Sequence, residues 1–262
     1  MEVSAIAAIL RQISRDWDRW AAESYVAHGR ETLSRQEATR IANTLTMLKD
    51  CASPGRILEI GTGYLSMAVV LRRRFPAAQL TGVEHPGRRY VWEPAYREVL
   101  KAERICLAAA DLAGSGLPFR AATFDVAVLA EVLEHLPPNA VPGVLTEIAR
   151  ILVPGGTLIL TTPNLAACTN RELLLRGHSP QQTPARCIDG TYPHLRLYTR
   201  AELEDLLVGT GFHVERGTFI DQEAVGISFP RRVLRTALAP ARTVWPALRD
   251  TIVLLARRTK ET

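Results

Sequence analysis

Lysine is scarce in this chain of 262 residues: only Lys49, Lys101 and Lys260 occur, so arginine supplies nearly all of the positive charge. Cysteine is scarce as well. The four thiols (Cys51, Cys106, Cys168 and Cys187) lie far apart with no CxxC pair, which argues against a disulfide framework or a thiolate zinc site and predicts a protein of the reducing cytoplasm. No uninterrupted apolar run reaches about 18 residues, so no transmembrane segment is expected. The first ten residues lack a cationic start, and Arg11, Arg15, Asp16 and Asp18 follow at once, unlike a signal peptide. Repeats and low-complexity tracts are also lacking. What is present is ordinary: 47% hydrophobic residues, 23% charged residues and a net charge of +5. That composition suits one large α/β domain with elaborations and excludes a disordered or collagen-like chain. The arginine surplus permits an anionic partner without requiring one, and reads as solvated surface.

Residues 1–50 carry apolar positions at helical spacing, first Ile6, Leu10, Ile13, Trp17 and Trp20, then Ile41, Leu45 and Leu48. They read as a helical extension, residues 1–52, capping a larger unit. Ser53-Pro54-Gly55 breaks the pattern. From there strands are expected at Arg56–Ile60, Gln79–Glu84, Ile105–Ala109, Phe124–Ala130 and Gly156–Thr162. Helices are expected between and after them, at about Leu65–Phe75, Arg88–Lys101, Pro138–Ile151 and Arg200–Thr210. Two more strands, His213–Phe219 and Thr251–Ala256, flank an arginine-rich stretch interrupted by Pro240 and Pro246, read as a substrate-side insertion over residues 218–250. Strands alternating with helices imply βαβ units and a doubly wound, three-layer α/β fold over residues 53–262. Right-handed crossovers put the strand C-termini on one edge, where such sheets bind ligands.

The first strand ends in Glu59-Ile60-Gly61-Thr62-Gly63-Tyr64-Leu65-Ser66 and opens a helix. Gly61 and Gly63 allow a tight turn and close approach of a ligand, although the segment also lies near a dinucleotide pattern. Glu59 separates the two: a carboxylate at the strand end would repel a pyrophosphate, but it suits S-adenosylmethionine, whose ammonium and sulfonium are both cationic. Glu84 closes the second strand about 20 residues on, where a carboxylate can accept from both ribose hydroxyls. Asp111, past the third strand, is placed to accept from an adenine amino group, with Leu112 against the ring.

These segments, together with Phe124–Leu136 (FDVAVLAEVLEHL), Arg150–Asn164 (RILVPGGTLILTTPN) and His194–Val214 (HLRLYTRAELEDLLVGTGFHV), resemble the class I S-adenosylmethionine-dependent methyltransferases from Arg56 to about Val214. The resemblance implies a Rossmann-like, seven-stranded, mostly parallel sheet with an antiparallel last strand. It also implies methyl transfer, with Glu59, Gly61, Gly63, Glu84, Asp111, Leu112 and Glu131 around the cofactor. Leu65 departs from it, since many members carry a third glycine there.

Glu131, Glu134 and His135 stand at i, i+3 and i+4 after the fourth strand, on one face if a helix has begun there. Three readings stay open. Glu131 lines the cofactor pocket while Glu134 and His135 organise the loop, or His135 is a general base for a hydroxyl acceptor. In the third, Glu131, Glu134, His135 and His194 hold a divalent cation such as Mn²⁺ or Fe²⁺, which resembles the metal-assisted 2′-O-methyltransferases of small RNAs and the O-methyltransferases of ubiquinone biosynthesis. His194 could instead cap the turn before Tyr198-Thr199.

An Asn/Asp-Pro-Pro-Tyr/Phe motif is missing after the fourth strand, which argues against DNA as substrate. The expected function is O-methylation of a small molecule. RNA 2′-O-methylation is the enzymatic alternative, and a non-catalytic S-adenosylmethionine-binding scaffold the alternative of another class. Aromatic and basic residues for a lid over the acceptor come from Trp17, Trp20 and Tyr25; from Arg171, Arg176, His178 and Tyr192; and from Phe229, Arg231, Arg232 and Trp245.

Overall fold

The computed structural model describes residues 1–17, 30–49, 53–114, 116–181, 193–221, 236–237 and 239–259, with the side chains of 14–17 and 30–36 left out. In the lid set, the side chain of Trp17 and the residues Trp20, Tyr25, Tyr192, Phe229, Arg231 and Arg232 therefore lie outside the described residues, as do Cys51 and Cys187.

Helices α1 (Val3–Trp17) and α2 (Arg30–Met47) precede the sheet. There follow β1 (Arg56–Ile60), α3 (Ser66–Arg74), β2 (Gln79–Glu84), α4 (Pro94–Ala102), β3 (Ile105–Ala109) and β4 (Phe124–Ala130). The chain continues through α5 (Val141–Ile151), β5 (Leu152–Pro163), α6 (Cys168–Leu175), α7 (Arg200–Gly209) and β6 (Phe212–Ile220). It closes with α8 (Ala239–Val244) and β7 (Thr251–Arg258). The seven-stranded sheet has the order β3-β2-β1-β4-β5-β7-β6. Neighbours from β3 to β5 pair in parallel, and β7 runs antiparallel to both β5 and β6.

The strands are apolar on both faces because helices cover both, the condition for a parallel sheet. Alternation assigns the faces: Val126 and Val128 of β4 join α1 to α4 in one core, while Ala127 and Leu129 join α5 and α7 in the other. Ile6, Leu10, Ile41 and Leu45 pack in the first core with Ile57 and Val69. The N-terminal helices thus share the core of the sheet they cover.

Several expected boundaries move for local reasons. The long helix expected over Arg88–Lys101 is split into a 3₁₀ turn at Arg89–Trp92 and α4, because Pro94 starts a helix and holds Glu93 extended. The helix expected from Pro138 begins at Val141, and β5 begins at Leu152 instead of Gly156 because Leu152 already pairs with Phe124. The insertion expected to start at residue 218 starts after Ile220, since Thr218, Phe219 and Ile220 pair with β7; residues 222–235 and 238 of it lie outside the described residues. Leu65, in the place of the third glycine, sits just before α3 at φ +64° and is fully buried. The left-handed backbone costs about 1–2 kcal/mol, which burial of a leucine side chain, about 1.5–3 kcal/mol, offsets.

Candidate functional site

Strand order reverses across β1, with β2 on one side and β4 on the other, and the crevice at such a switch point opens beyond the strand C-termini. A cavity of about 420 Å³ lies there. Gly61, Gly63, Glu84, Asp111, Leu112, Glu131 and His135, all singled out in the sequence, line it.

The two glycines do different work. Gly61 has φ +79°, and a Cβ built there would meet Val132 Cγ2 at 2.4 Å, so its bareness lets the loop after β4 pack against the turn. Gly63 has φ +47° and open space where a Cβ would stand; there the bare backbone faces the cavity. Its N–H donates to Glu84 Oε2 at 2.8 Å, and Glu84 also accepts from the His85 N–H (2.8 Å) and the Tyr90 hydroxyl (3.2 Å). Glu84 therefore holds the glycine turn in shape at the end of β2. Tyr90 stacks on Tyr64 with ring centroids 5.7 Å apart. Asp111 Oδ1 accepts from the Ala113 N–H at 3.0 Å, which fixes the side chain at the cavity rim.

Glu59 is placed differently from its neighbours. It does not line the cavity but lies beneath the glycine turn, 3% exposed, with Oε2 buried and without a hydrogen-bond partner. Burial, then the charges of Glu84 and Glu37, pushes its carboxyl well above the ordinary range. Glu37 on α2 is raised too, chiefly by burial, and its Oε2 is likewise buried and partnerless. Carboxylates in this number beside exposed backbone fit a ligand that brings positive charge.

The unliganded protein should accordingly lose stability as pH rises above about 4.5. The unfolded chain releases these protons there, while the fold retains them until their raised values are reached. Glu59→Gln, which has no proton to retain, should flatten the slope and stabilise the unliganded protein at pH 8, by about 1.4 kcal/mol for each pH unit over which the folded carboxyl keeps its proton and the unfolded one does not. Thermal melts across pH 5–8 check this.

The segment after β4 corrects the expected helical face. Glu131 has φ +57°, and the turn that follows is a short 3₁₀ helix, Leu133–His135. No α-helix has begun at Glu131, so the two glutamates diverge. Glu131 faces the cavity and accepts from Thr161 Oγ1 at 2.9 Å. Glu134 is fully buried and accepts from Thr162 Oγ1 at 2.9 Å, with Oε1 left unpartnered; burial and the charge of Glu131 raise its pKa. Strained backbone of this kind costs about 1–3 kcal/mol and gathers at functional sites.

His194 reaches this place because the chain at 193–196 docks on the turn: the Leu195 N–H donates to the Glu134 carbonyl at 2.7 Å. The rings of His135 and His194 meet edge to face, 4.9 Å between centroids. The next helix is capped by Thr199 and Glu202, which form a reciprocal capping box. Burial, then the charge of His135, holds the His194 pKa down to about 4. His135 Nδ1 donates to the Pro193 carbonyl at 3.0 Å; a carbonyl only accepts, so Nδ1 carries a proton. Nε2 stands 4.0 Å from Glu134 Oε1.

Among the described residues, Glu134, His135 and His194 bring one donor atom each to within 4.8 Å of one another and could hold a metal ion. Glu131 does not join them, because its left-handed backbone turns it toward the cavity and α2.

Sequence reasoning missed Glu37, Arg40 and Tyr90. Arg40 Nη1 lies 3.9 Å from Glu131 Oε1, although the two are 91 positions apart by subtraction of their numbers. No local pattern announces such a contact. Of the expected lid residues, Arg171 and Arg176 are spent on α6, bonding the Ala166 carbonyl and Glu172, and Trp245 is 71% exposed.

A Rossmann-like sheet with this edge defines the class I S-adenosylmethionine-dependent methyltransferases. The methyltransferase-domain family matches residues 28–216, more than half of the chain, and the chain belongs to it; S-adenosylmethionine is its cofactor. No curated protein sequence matches. Among solved structures, an S-adenosylmethionine-dependent methyltransferase of Methanosarcina mazei is 17% identical with a TM-score of 0.58, over 82% of this chain and 98% of that one. The 1,6-didemethyltoxoflavin-N1-methyltransferase of Burkholderia thailandensis, solved with 1,6-didemethyltoxoflavin and S-adenosylhomocysteine, is 17% identical with a TM-score of 0.54, over 98% and 87%. The [4+2]-cyclase SpnF is 18% identical with a TM-score of 0.57, over 87% and 83%. At these identities the likeness is one of fold.

Proposed function

We propose that this methyltransferase moves the methyl group of S-adenosylmethionine onto a hydroxyl oxygen of a small molecule. In this reading Glu84 accepts from the ribose hydroxyls, Asp111 from the adenine amino group, and Leu112 packs on the ring. Gly61, Gly63, Glu59 and Glu131 surround the cationic end. The observation that carries the choice of oxygen is an imidazole in the cavity wall, that of His135, held in orientation by the bond of its Nδ1 to the Pro193 carbonyl.

Bound there, S-adenosylmethionine supplies an electrophilic methyl carbon whose thioether leaves as the acceptor oxygen bonds to it. His135 Nε2 takes the hydroxyl proton, and the Pro193 carbonyl, accepting from Nδ1, steadies the imidazolium that results. The remaining task of the site is alignment and exclusion of water.

A second reading rests on the same corner. The donor set of Glu134, His135 and His194, with an orphaned buried oxygen on Glu134, suits a divalent cation of the Mn²⁺ or Fe²⁺ type. Held there, the cation would lower the pKa of an acceptor hydroxyl; this is also the reading under which an RNA ribose is the acceptor. No helix among the described residues is long and apolar enough to cross a membrane, and Cys106 and Cys168 are free thiols, in keeping with a cytoplasmic place.

A panel of hydroxylated metabolites, incubated with isotopically labelled cofactor and read by mass, tests the proposal. Methylated oxygen in a small product supports it, and turnover only with RNA, salt-sensitive in binding, replaces it. Activity that survives exhaustive chelation leaves His135 as base; activity abolished by chelation and restored by Mn²⁺ assigns the cation centre.

A further inference from the structure

Large apolar side chains exposed singly are ordinary on a protein surface, but a gathering of them marks a contact. Among the described residues the three most exposed are Leu175 (90%), Val244 (85%) and Trp245 (71%), and Leu174 (55%) adjoins the first. Leu174 and Leu175 end α6; Val244 ends α8, and Trp245 leads into a 3₁₀ turn at Pro246–Leu248.

Asn164 brings these two elements together. Fully buried just past β5, it donates from Nδ2 to the Ala247 and Arg249 carbonyls, and its own carbonyl accepts from Asn170 Nδ2 on α6, each at 2.8 Å. Arg242 of α8 adds a second fastening, bonding Asp221 just past β6 and Asp250 just before β7. Both elements therefore rise from Pro163, Ile220 and Thr251, which lie abreast in the sheet. That is the cavity edge, since Thr161, two residues before Pro163, holds Glu131 in the cavity wall.

The free charge beside these tips is positive. From Ala224 to Arg249 the sequence has five arginines and no acidic residue, and Arg171 on α6 and Arg176 just after it are exposed. The acids nearby, Glu172, Asp221 and Asp250, are each paired with an arginine. Side chains this exposed protrude and line no concavity, so they suit a soft medium better than the close-packed core of a protein interface. Leucine and valine offer nothing to a polynucleotide, whereas arginine pairs with phosphate and indole favours an apolar–polar boundary.

We propose that this rim is a peripheral docking surface for an anionic lipid bilayer. Leu174, Leu175, Val244 and Trp245 enter the headgroup layer, and the arginines pair with lipid phosphates. Docking there sets the cavity edge beside the membrane.

Co-sedimentation of the full chain with vesicles tests it. Vesicles of phosphatidylcholine and phosphatidylglycerol in equal parts should bind at least about tenfold more tightly than phosphatidylcholine alone, and raised salt should weaken that binding. Leu175→Ser and Trp245→Ser should each weaken it about tenfold or more, as loss of one large apolar anchor implies. Melting temperature and S-adenosylhomocysteine affinity should stay unchanged in both, because these positions are exposed. No binding to either vesicle, equal binding to both kinds, or binding indifferent to both substitutions would overturn the proposal. Retention of polyuridylate or of an acidic carrier protein in place of vesicles would overturn it too.

Discussion

Glu84→Ala is expected to weaken S-adenosylmethionine binding by about a hundredfold or more and to lower the melting temperature of the unliganded protein. Two hydrogen bonds from ribose hydroxyls to a carboxylate are worth about 1.5–3 kcal/mol each, and every 1.4 kcal/mol is tenfold. The same carboxylate accepts from Gly63, His85 and Tyr90, so its removal also orphans the N–H that shapes the glycine turn. Glu84→Gln separates the contributions: the amide oxygen can still accept from Gly63, so stability should recover further than affinity. Asp111→Ala should cost less, about tenfold, since one neutral amino group is at stake. Titration calorimetry beside thermal melts measures both, and unchanged affinity in Glu84→Ala and Asp111→Ala alike would remove the nucleoside assignment.

The second large effect falls on turnover. His135→Ala should lower kcat by about 10²–10⁴-fold, the usual contribution of a positioned acid–base group, with cofactor affinity nearly unchanged. Exogenous imidazole should restore part of the rate if the residue acts as a base. His194→Ala distinguishes the two chemistries: a loss below about tenfold fits a base that needs only His135, whereas a loss comparable to His135→Ala, relieved by excess Mn²⁺, fits a shared cation. Tight cofactor binding with undiminished turnover in His135→Ala would exclude both.

Strands β1 to β4 were legible in the sequence to the residue, because each is a short, largely apolar run, and burial on both faces leaves little else such a run can be. The edge that carries the cavity was legible for a related reason: Glu84 and Asp111 end or follow strands, and strand ends of a doubly wound sheet share one side. What stayed hidden was set by backbone conformation or distance. Nothing in Glu-Val-Leu-Glu-His states that Glu131 adopts a left-handed conformation, so the shared helical face dissolves into two glutamates with separate partners. Nothing near Arg40 states that its helix folds back over the glycine turn. The split before α4 was signalled by Pro94 and outweighed by the apolar periodicity around it.

Thr161 and Thr162 are consecutive residues of β5 that alternate across the sheet, the first holding Glu131 on the cavity side and the second holding Glu134 behind the histidines. A single dipeptide therefore sets the spacing between the cavity wall at Glu131 and the buried carboxyl of Glu134. Loops elsewhere on the rim can lengthen freely, but an insertion between residues 131 and 135, or a slip of this strand end, would, in the proposed reaction, move donor and recipient out of line together. Diversity of substrate in such a molecule has to come from the roof, with the floor kept as a fixed gauge.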